Sequence, residues 1–127
     1  MVYNIKTDIK QELTKVVADN DTADAFGSGL AKVFSTPALV ALMENTAYKS
    51  VENLLPKGFS TVGIEINVKH KKASLPGQKI TCQSIITKVD GKKIFFNISA
   101  FDEKGEVGTA SHIRYIINIE DFMNNLK

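Results

Sequence analysis

Two periodicities divide the chain. From Phe34 to Pro56 the apolar residues crowd together, with Ala38, Leu39, Val40, Ala41, Leu42 and Met43 in succession, and the stretch reads as one long helix. Thr36 suits the N-cap and Pro37 the first helical position, where the missing N–H is no loss, while Pro56-Lys57-Gly58 supplies the stop. Beyond the stop the period falls to two. Val62, Ile64, Ile66 and Val68 take one face of a strand and Gly63, Glu65, Asn67 and Lys69 the other.

A Leu-Pro-Gly-Gln turn follows, then the runs KITCQSIITKV and KIFFNISAFD, joined at Asp90-Gly91 by a two-residue hairpin signal. Glu103 to Glu106 lead into VGTASHIRYIINI, and EDFMNNLK closes with a helical turn. Ahead of the helix, YNIKTDIKQELTKVV reads as a first strand and ADNDTADAFGSGLAKVFS as a covering loop with a helical turn. The order is strand, loop, long helix, then a four-strand meander. It predicts a single α+β domain over residues 1–127, with an antiparallel sheet of about five strands curled around one helix. A helix this apolar on all sides also predicts a homodimer, in which a second subunit covers what the sheet leaves bare.

Composition narrows the function classes. The 127 residues are 43% hydrophobic and 24% charged, with a formal charge of +2, which is soluble globular composition. No apolar run approaches the ~20 residues that span a bilayer, and the N-terminus lacks a signal-peptide stretch. The expectation is a cytoplasmic protein without a membrane partner. One cysteine, Cys82, excludes an internal disulfide framework and a cysteine-rich metal site; by strand parity it is a small packed residue. Trp is absent and the charge is small, so no nucleic-acid partner is expected. The densest basic run, Lys69 to Lys72, reads as a solvated strand end or as a contact for a phosphate-bearing small molecule.

Two residues break the apolar pattern. Glu44 sits in the crowded part of the helix, and His70 continues the even-numbered series of the following strand. Each has an ordinary explanation, a boundary carboxylate and a rim histidine. Together they offer a partly buried carboxylate with raised basicity and an imidazole able to share its proton. Thr36 lies eight residues before Glu44, about 12 Å along the axis on a neighbouring flank. The helix N-terminus adds backbone donors suited to polarising a carbonyl oxygen. His112 and Arg114 share a strand face and read as a hydrogen-bonded pair supporting the sheet. No metal-ligand cluster or glycine-rich phosphate loop is present in the sequence.

The segments VFSTPALVALMENTA, GIEINVKHKKASLPG and GTASHIRYIINIEDF, in this order and spacing, resemble the hot-dog-fold thioesterases of the fluoroacetyl-CoA thioesterase type, over about three-quarters of the chain from Val33 onward. The resemblance implies the hot-dog fold and hydrolysis of an acyl-CoA thioester, with CoA entering as part of the substrate and no separate cofactor. It implies a catalytic set of Thr36, Glu44 and His70, with Glu44 as general base or nucleophile, His70 as proton donor or oxyanion partner, and Thr36 positioning the acyl group or water or attacking itself. Gly63 would line the acyl site, with Leu30 and Phe34 beside the substrate. Lys69, Lys71 and Lys72 are the candidates for the CoA phosphates. Two positions depart from the family pattern. Leu30 stands where a gating phenylalanine is expected and Pro37 where a glycine follows the threonine, so an ordinary short- or medium-chain acyl-CoA is the expected substrate. The alternatives are a non-catalytic acyl-CoA or lipid-binding module and a hot-dog hydratase or dehydratase. Those enzymes place their acid and histidine close together in one segment, whereas Glu44 and His70 are 26 residues apart, which favours hydrolysis.

Overall fold

The computed structural model describes residues 3–127. In chain order it contains β1 (Lys10–Val16), a 3-10 turn (Asp19–Asp21), α1 (Ala23–Phe26), α2 (Thr36–Val51), a 3-10 turn (Glu52–Leu54), β2 (Phe59–His70), β3 (Lys79–Asp90), β4 (Lys93–Asp102), β5 (Gly105–Asn118) and α3 (Ile119–Asn124). The first strand is shorter than its pattern suggested, because the chain turns at Asp8, a non-glycine residue with φ of 70°, and the regular ladder with β3 runs only from Lys10 to Val16.

The long helix starts one residue from the expected cap. Ser35 is extended, and its hydroxyl accepts the Ala38 N–H at 3.2 Å, so Thr36 is already helical and its side chain is released from capping. The helix ends at Val51 and runs on as a 3-10 turn, with Gly58 at φ 87° taking the chain out toward β2. Leu39, Met43, Ala47 and Val51 are fully enclosed. They share one core with Ile80, Ile86, Ile94, Phe96 and Ile98 of the sheet. The opposite side of the helix is barer than an all-round apolar pattern implies, with Pro37 and Ala41 exposed and Val40 half-buried.

All five strands form one antiparallel sheet in the order β1-β3-β4-β5-β2. The expected meander of four strands therefore holds only from β3 to β5; β2 crosses to the far end and pairs with β5. The β3–β4 turn is Gly91-Lys92, since Asp90 pairs with Lys93 and Gly91 takes φ 60°, one residue later than the Asp90-Gly91 signal placed it.

A bulge in β2 changes which residues face the helix. Gly63 pairs with Arg114 and Glu65 with Ile113, leaving Ile64 as the extra residue, 50% exposed. The even-numbered series Val62, Ile64, Ile66, Val68 is thus broken in the middle. Thr61 and Gly63 face the helix before the bulge, and Ile66, Val68 and His70 after it. A bulge adds one residue to one strand and so reverses side-chain parity beyond it. Gly63, placed by alternation on the polar face, is turned to the helix side, while His70 keeps the phase of Ile66 and Val68.

Candidate active site

Releasing Thr36 from the cap gives its hydroxyl another partner. Thr36 Oγ1 lies 2.9 Å from His70 Nδ1, joining the start of α2 to the end of β2. The other ring nitrogen, Nε2, is buried and has no hydrogen-bond partner. Burial, more than any other influence, holds the imidazole below its ordinary pKa, so the ring is neutral at pH 7. The pair borders a hollow of about 520 Å³ lined by Ala23, Ser28, Phe34, Pro37 and Lys72, among others. The helix start offers fewer backbone donors here than a bare N-terminus, because Pro37 has no N–H and Ser35 binds that of Ala38; Thr36 N–H is the donor it presents.

Glu44 belongs to a second cluster, built around Gly63. A Cβ added to Gly63 would stand 3.0 Å from Glu44 Oε2, 3.2 Å from His112 Cε1 and 3.4 Å from Arg114 Nη1. Only glycine lets these three side chains close over the strand. His112 and Arg114 are 2% and 7% exposed. Arg114 Nε donates to Thr61 Oγ1 at 2.7 Å and Nη2 to the Thr61 carbonyl at 3.0 Å. His112 Nδ1 lies 2.7 Å from the Glu65 carbonyl, which can only accept; Nδ1 therefore carries the proton, and Nε2 accepts from Arg114 Nη1 at 3.3 Å. Burial lowers the pKa of His112, and the Arg114 charge lowers it further. Burial also lowers that of Arg114, against the pull of Glu44. Glu44 makes no hydrogen bond and no ion pair among the described residues.

The bonded pair expected of His112 and Arg114 is present, but it also forms the floor under Glu44. The sequence carried that signal in two polar residues alternating with Ala110 and Ile116 on the inward face of β5. It stayed hidden because nothing local says that Glu44 lies above them. Glu44 and His70, expected to face one another across either the helix–sheet or the dimer boundary, do not meet within one chain. His70 pairs with Thr36 at the far end of β2, roughly 20 Å along the strand from Gly63 at about 3.3 Å per residue.

The remaining candidates divide. Phe34 lines the hollow and is itself fully buried. Leu30 is 96% exposed and does not line the hollow. Lys69 points to the opposite face of the sheet from His70, alongside Asn97 and Thr109. Lys71 and Lys72 border the hollow, but each is bound to a carboxylate, Lys71 to Glu106 at 2.6 Å and Lys72 to Asp102. The Asp102 carboxylate, which also accepts from Ser74 Oγ and Lys104 N–H, is an intramolecular competitor for any phosphate at Lys72. Cys82 is enclosed in the core, its thiol pushed up to about 11 by burial, and it is the packed residue expected. No group of three or more metal-ligating side chains occurs among the described residues.

Comparison with known proteins identifies the family and the fold. Residues 17–120 match the family described as fluoroacetyl-CoA-specific thioesterase. The fluoroacetyl-CoA thioesterase of Streptantibioticus cattleyicolor is 32% identical over 91 residues, which cover 72% of this chain and 66% of that protein. A solved structure of a fluoroacetyl-CoA thioesterase superposes with a TM-score of 0.92 at 25% identity, covering 97% of this chain and 96% of the other. A hot-dog-like protein from Thermanaerovibrio acidaminovorans shares the fold at a TM-score of 0.89 and 22% identity, covering 96% and 90%. A sheet of this order curled around one long helix is the hot-dog fold, and the chain belongs to the fluoroacetyl-CoA-specific thioesterase family.

Proposed function

We propose that the protein is an acyl-CoA thioesterase acting on short- or medium-chain acyl groups as a homodimer, each active site being shared between two protomers. The observation that carries this reading is the pair of unmatched groups at opposite ends of β2: His70 Nε2, buried without a partner, and the unpaired Glu44 carboxylate at Gly63. The outer edge of β2 carries no strand, and β2 has two Glu or Lys residues, Glu65 and Lys69, in 12 positions where the shorter edge strand, β1, has three, Lys10, Glu12 and Lys15, in 7. Charges discourage edge pairing and apolar residues favour it. Antiparallel pairing of two β2 strands about a two-fold axis at Asn67 sets Ile66 opposite the partner's Val68. Counted across the bulge at Ile64, it sets His70 opposite the partner's Gly63, with both facing the helices. The Thr36–His70 end of one chain then meets the Glu44–Arg114 end of the other.

In such a site the thioester carbonyl lies at the start of α2, where Thr36 N–H meets the developing oxyanion. Glu44 takes a proton from water as the water oxygen bonds to the carbonyl carbon. Thr36 donates to His70 Nδ1, which leaves the proton on Nε2. As the C–S bond breaks and the carbonyl reforms, the proton held by Glu44 passes to the departing thiolate, while His70 Nε2–H stays on the ring and hydrogen-bonds the developing negative charge. The products are the free acid and CoA thiol, and CoA enters only as part of the substrate. A second route is favoured by the 2.9 Å contact itself. His70 Nδ1 can instead accept the proton of Thr36 Oγ1, making Thr36 the nucleophile; trapping of an acyl-Thr36 adduct by mass spectrometry separates the routes. A cytoplasmic location suits an acyl-CoA substrate and a single reduced cysteine.

The test is a thiol-release assay over an acyl-CoA panel, run on mixed dimers. Neither Glu44→Gln nor His70→Ala chains should turn over alone. Unfolded together in equal amounts and refolded, they should recover about a quarter of wild-type activity, because half the dimers carry one intact site. Absence of recovery with dimers present overturns the shared site. Loss of substrate without thiol release points to hydration chemistry, and binding without turnover to a carrier.

A further inference from the structure

Tyr48 lies one turn beyond Glu44 on α2, half-buried, with its ring 5.7 Å from Arg114 Cζ. We infer that Tyr48 is a positioning residue: its aromatic face holds the Arg114 guanidinium between α2 and β5, so that the N–H groups not used by Thr61 and His112 are directed toward Gly63 and Glu44. This rests on the thioesterase reading only for its kinetic consequence.

The argument starts from what restrains Arg114. Thr61 takes Nε and one N–H of Nη2 on the strand side. His112 Nε2 takes Nη1 at the longer distance of 3.3 Å. The Thr61 side is thus held by two short bonds, and the Nη1 side, which faces Gly63, by one long one. Tyr48 adds a second restraint, since Arg114 Cζ lies over its ring and such a cation–aromatic contact is favoured most where water is excluded. With the guanidinium held on that side as well, Nη1 stays near Gly63, where an added Cβ would be 3.4 Å away. The Tyr48 hydroxyl forms no hydrogen bond among the described residues, so its ring rather than its hydroxyl is the part in use.

Two readouts test this. Tyr48→Leu should cut kcat for a short acyl-CoA by about tenfold while leaving inhibition by free CoA unchanged, and Tyr48→Phe should restore most of the loss. Independently of any substrate, the His112 ring can be followed by NMR. Glu44 and Arg114 face it and the Glu65 carbonyl binds its Nδ1. Burial is the main cause of the low His112 pKa and the Arg114 charge adds to it; if Arg114 shifts away in Tyr48→Leu, that added part weakens and the titration should move up. Tyr48→Met, which fills the space with an unbranched chain, gives the same reading if the leucine variant does not fold. An unmoved His112 titration in both variants overturns the inference, as does equal loss in Tyr48→Phe and Tyr48→Leu. A wild-type protein that hydrolyses no thioester overturns the proposed function alone, since the NMR readout still reports on Arg114.

Discussion

Glu44 by its lack of a partner, Gly63 by three close side chains and His70 by its bond to Thr36 each make a separate prediction. If Glu44 removes the proton from water, Glu44→Gln should fold normally and lose on the order of a hundredfold or more in kcat; unchanged turnover in the thiol assay removes it from the mechanism. Gly63→Ala should leave the protein folded, since the atoms within 3.4 Å of the new methyl are the ends of Glu44, His112 and Arg114 and not backbone. It should still lower turnover, because the methyl displaces the Glu44 carboxylate; a fully active alanine variant would show that the carboxylate position is not critical. The pH dependence has a defined sign. His70 and His112 are held below the ordinary imidazole pKa, chiefly by burial. The unfolded chain therefore takes up these protons near pH 6.5 and the folded chain only at lower pH. Stability is fully present above that range and should fall as pH drops through it. Burial alone would raise Asp102, but bonds from Lys72, Lys104 N–H and Ser74 together hold it below the usual carboxylate range. Its contribution, present above the ordinary Asp value, is lost as pH falls through its lower folded value. Urea melts from pH 8 to pH 3 should show a continuous decline below about 6.5; a flat profile would mean that neither histidine is shielded as the fold implies.

At the scale of elements, the entry to α2 separates stability from chemistry between adjacent residues. Ser35 caps the helix through Ala38 N–H, and Thr36 binds His70. Ser35→Ala should therefore lower stability by about 1 kcal/mol. Thr36→Ala should leave the melting temperature close to wild type while cutting thioester turnover, because its hydroxyl bonds a partner 34 positions away and not its own helix. The reverse pattern in paired melting and activity measurements would return the cap to Thr36. Both Ser and Thr are good N-caps, and in the order Ser-Thr-Pro the local sequence does not distinguish them. The bulge in β2 was equally illegible. Ile64 is a good strand residue in an unbroken alternation, and only the register against β5, with Arg114 opposite Gly63 and Ile113 opposite Glu65, makes it the extra one.

For the whole molecule, the shared site predicts that activity and association are lost together. A charge at the two-fold, Ile66→Lys, should yield monomers by sedimentation and abolish turnover, although Thr36, Glu44 and His70 are untouched; an active monomer would place the entire site within one chain. What the sequence determined by itself was whatever depends on short-range periodicity and residue type: one long helix, five strands, the turns between them, the packed Cys82, and the oddness of Glu44 and His70. Those patterns follow from side-chain directions along a helix or strand and need no knowledge of neighbours. Tertiary structure alone decided the rest. It took β2 across to β5, and through the bulge it turned Gly63 inward against Glu44. It set His112 and Arg114 beneath that carboxylate, left Leu30 in solvent, and tied Lys71 and Lys72 to Glu106 and Asp102. Each of these depends on which distant segments meet and in what register, and a shift of one residue in register reverses every side chain beyond it.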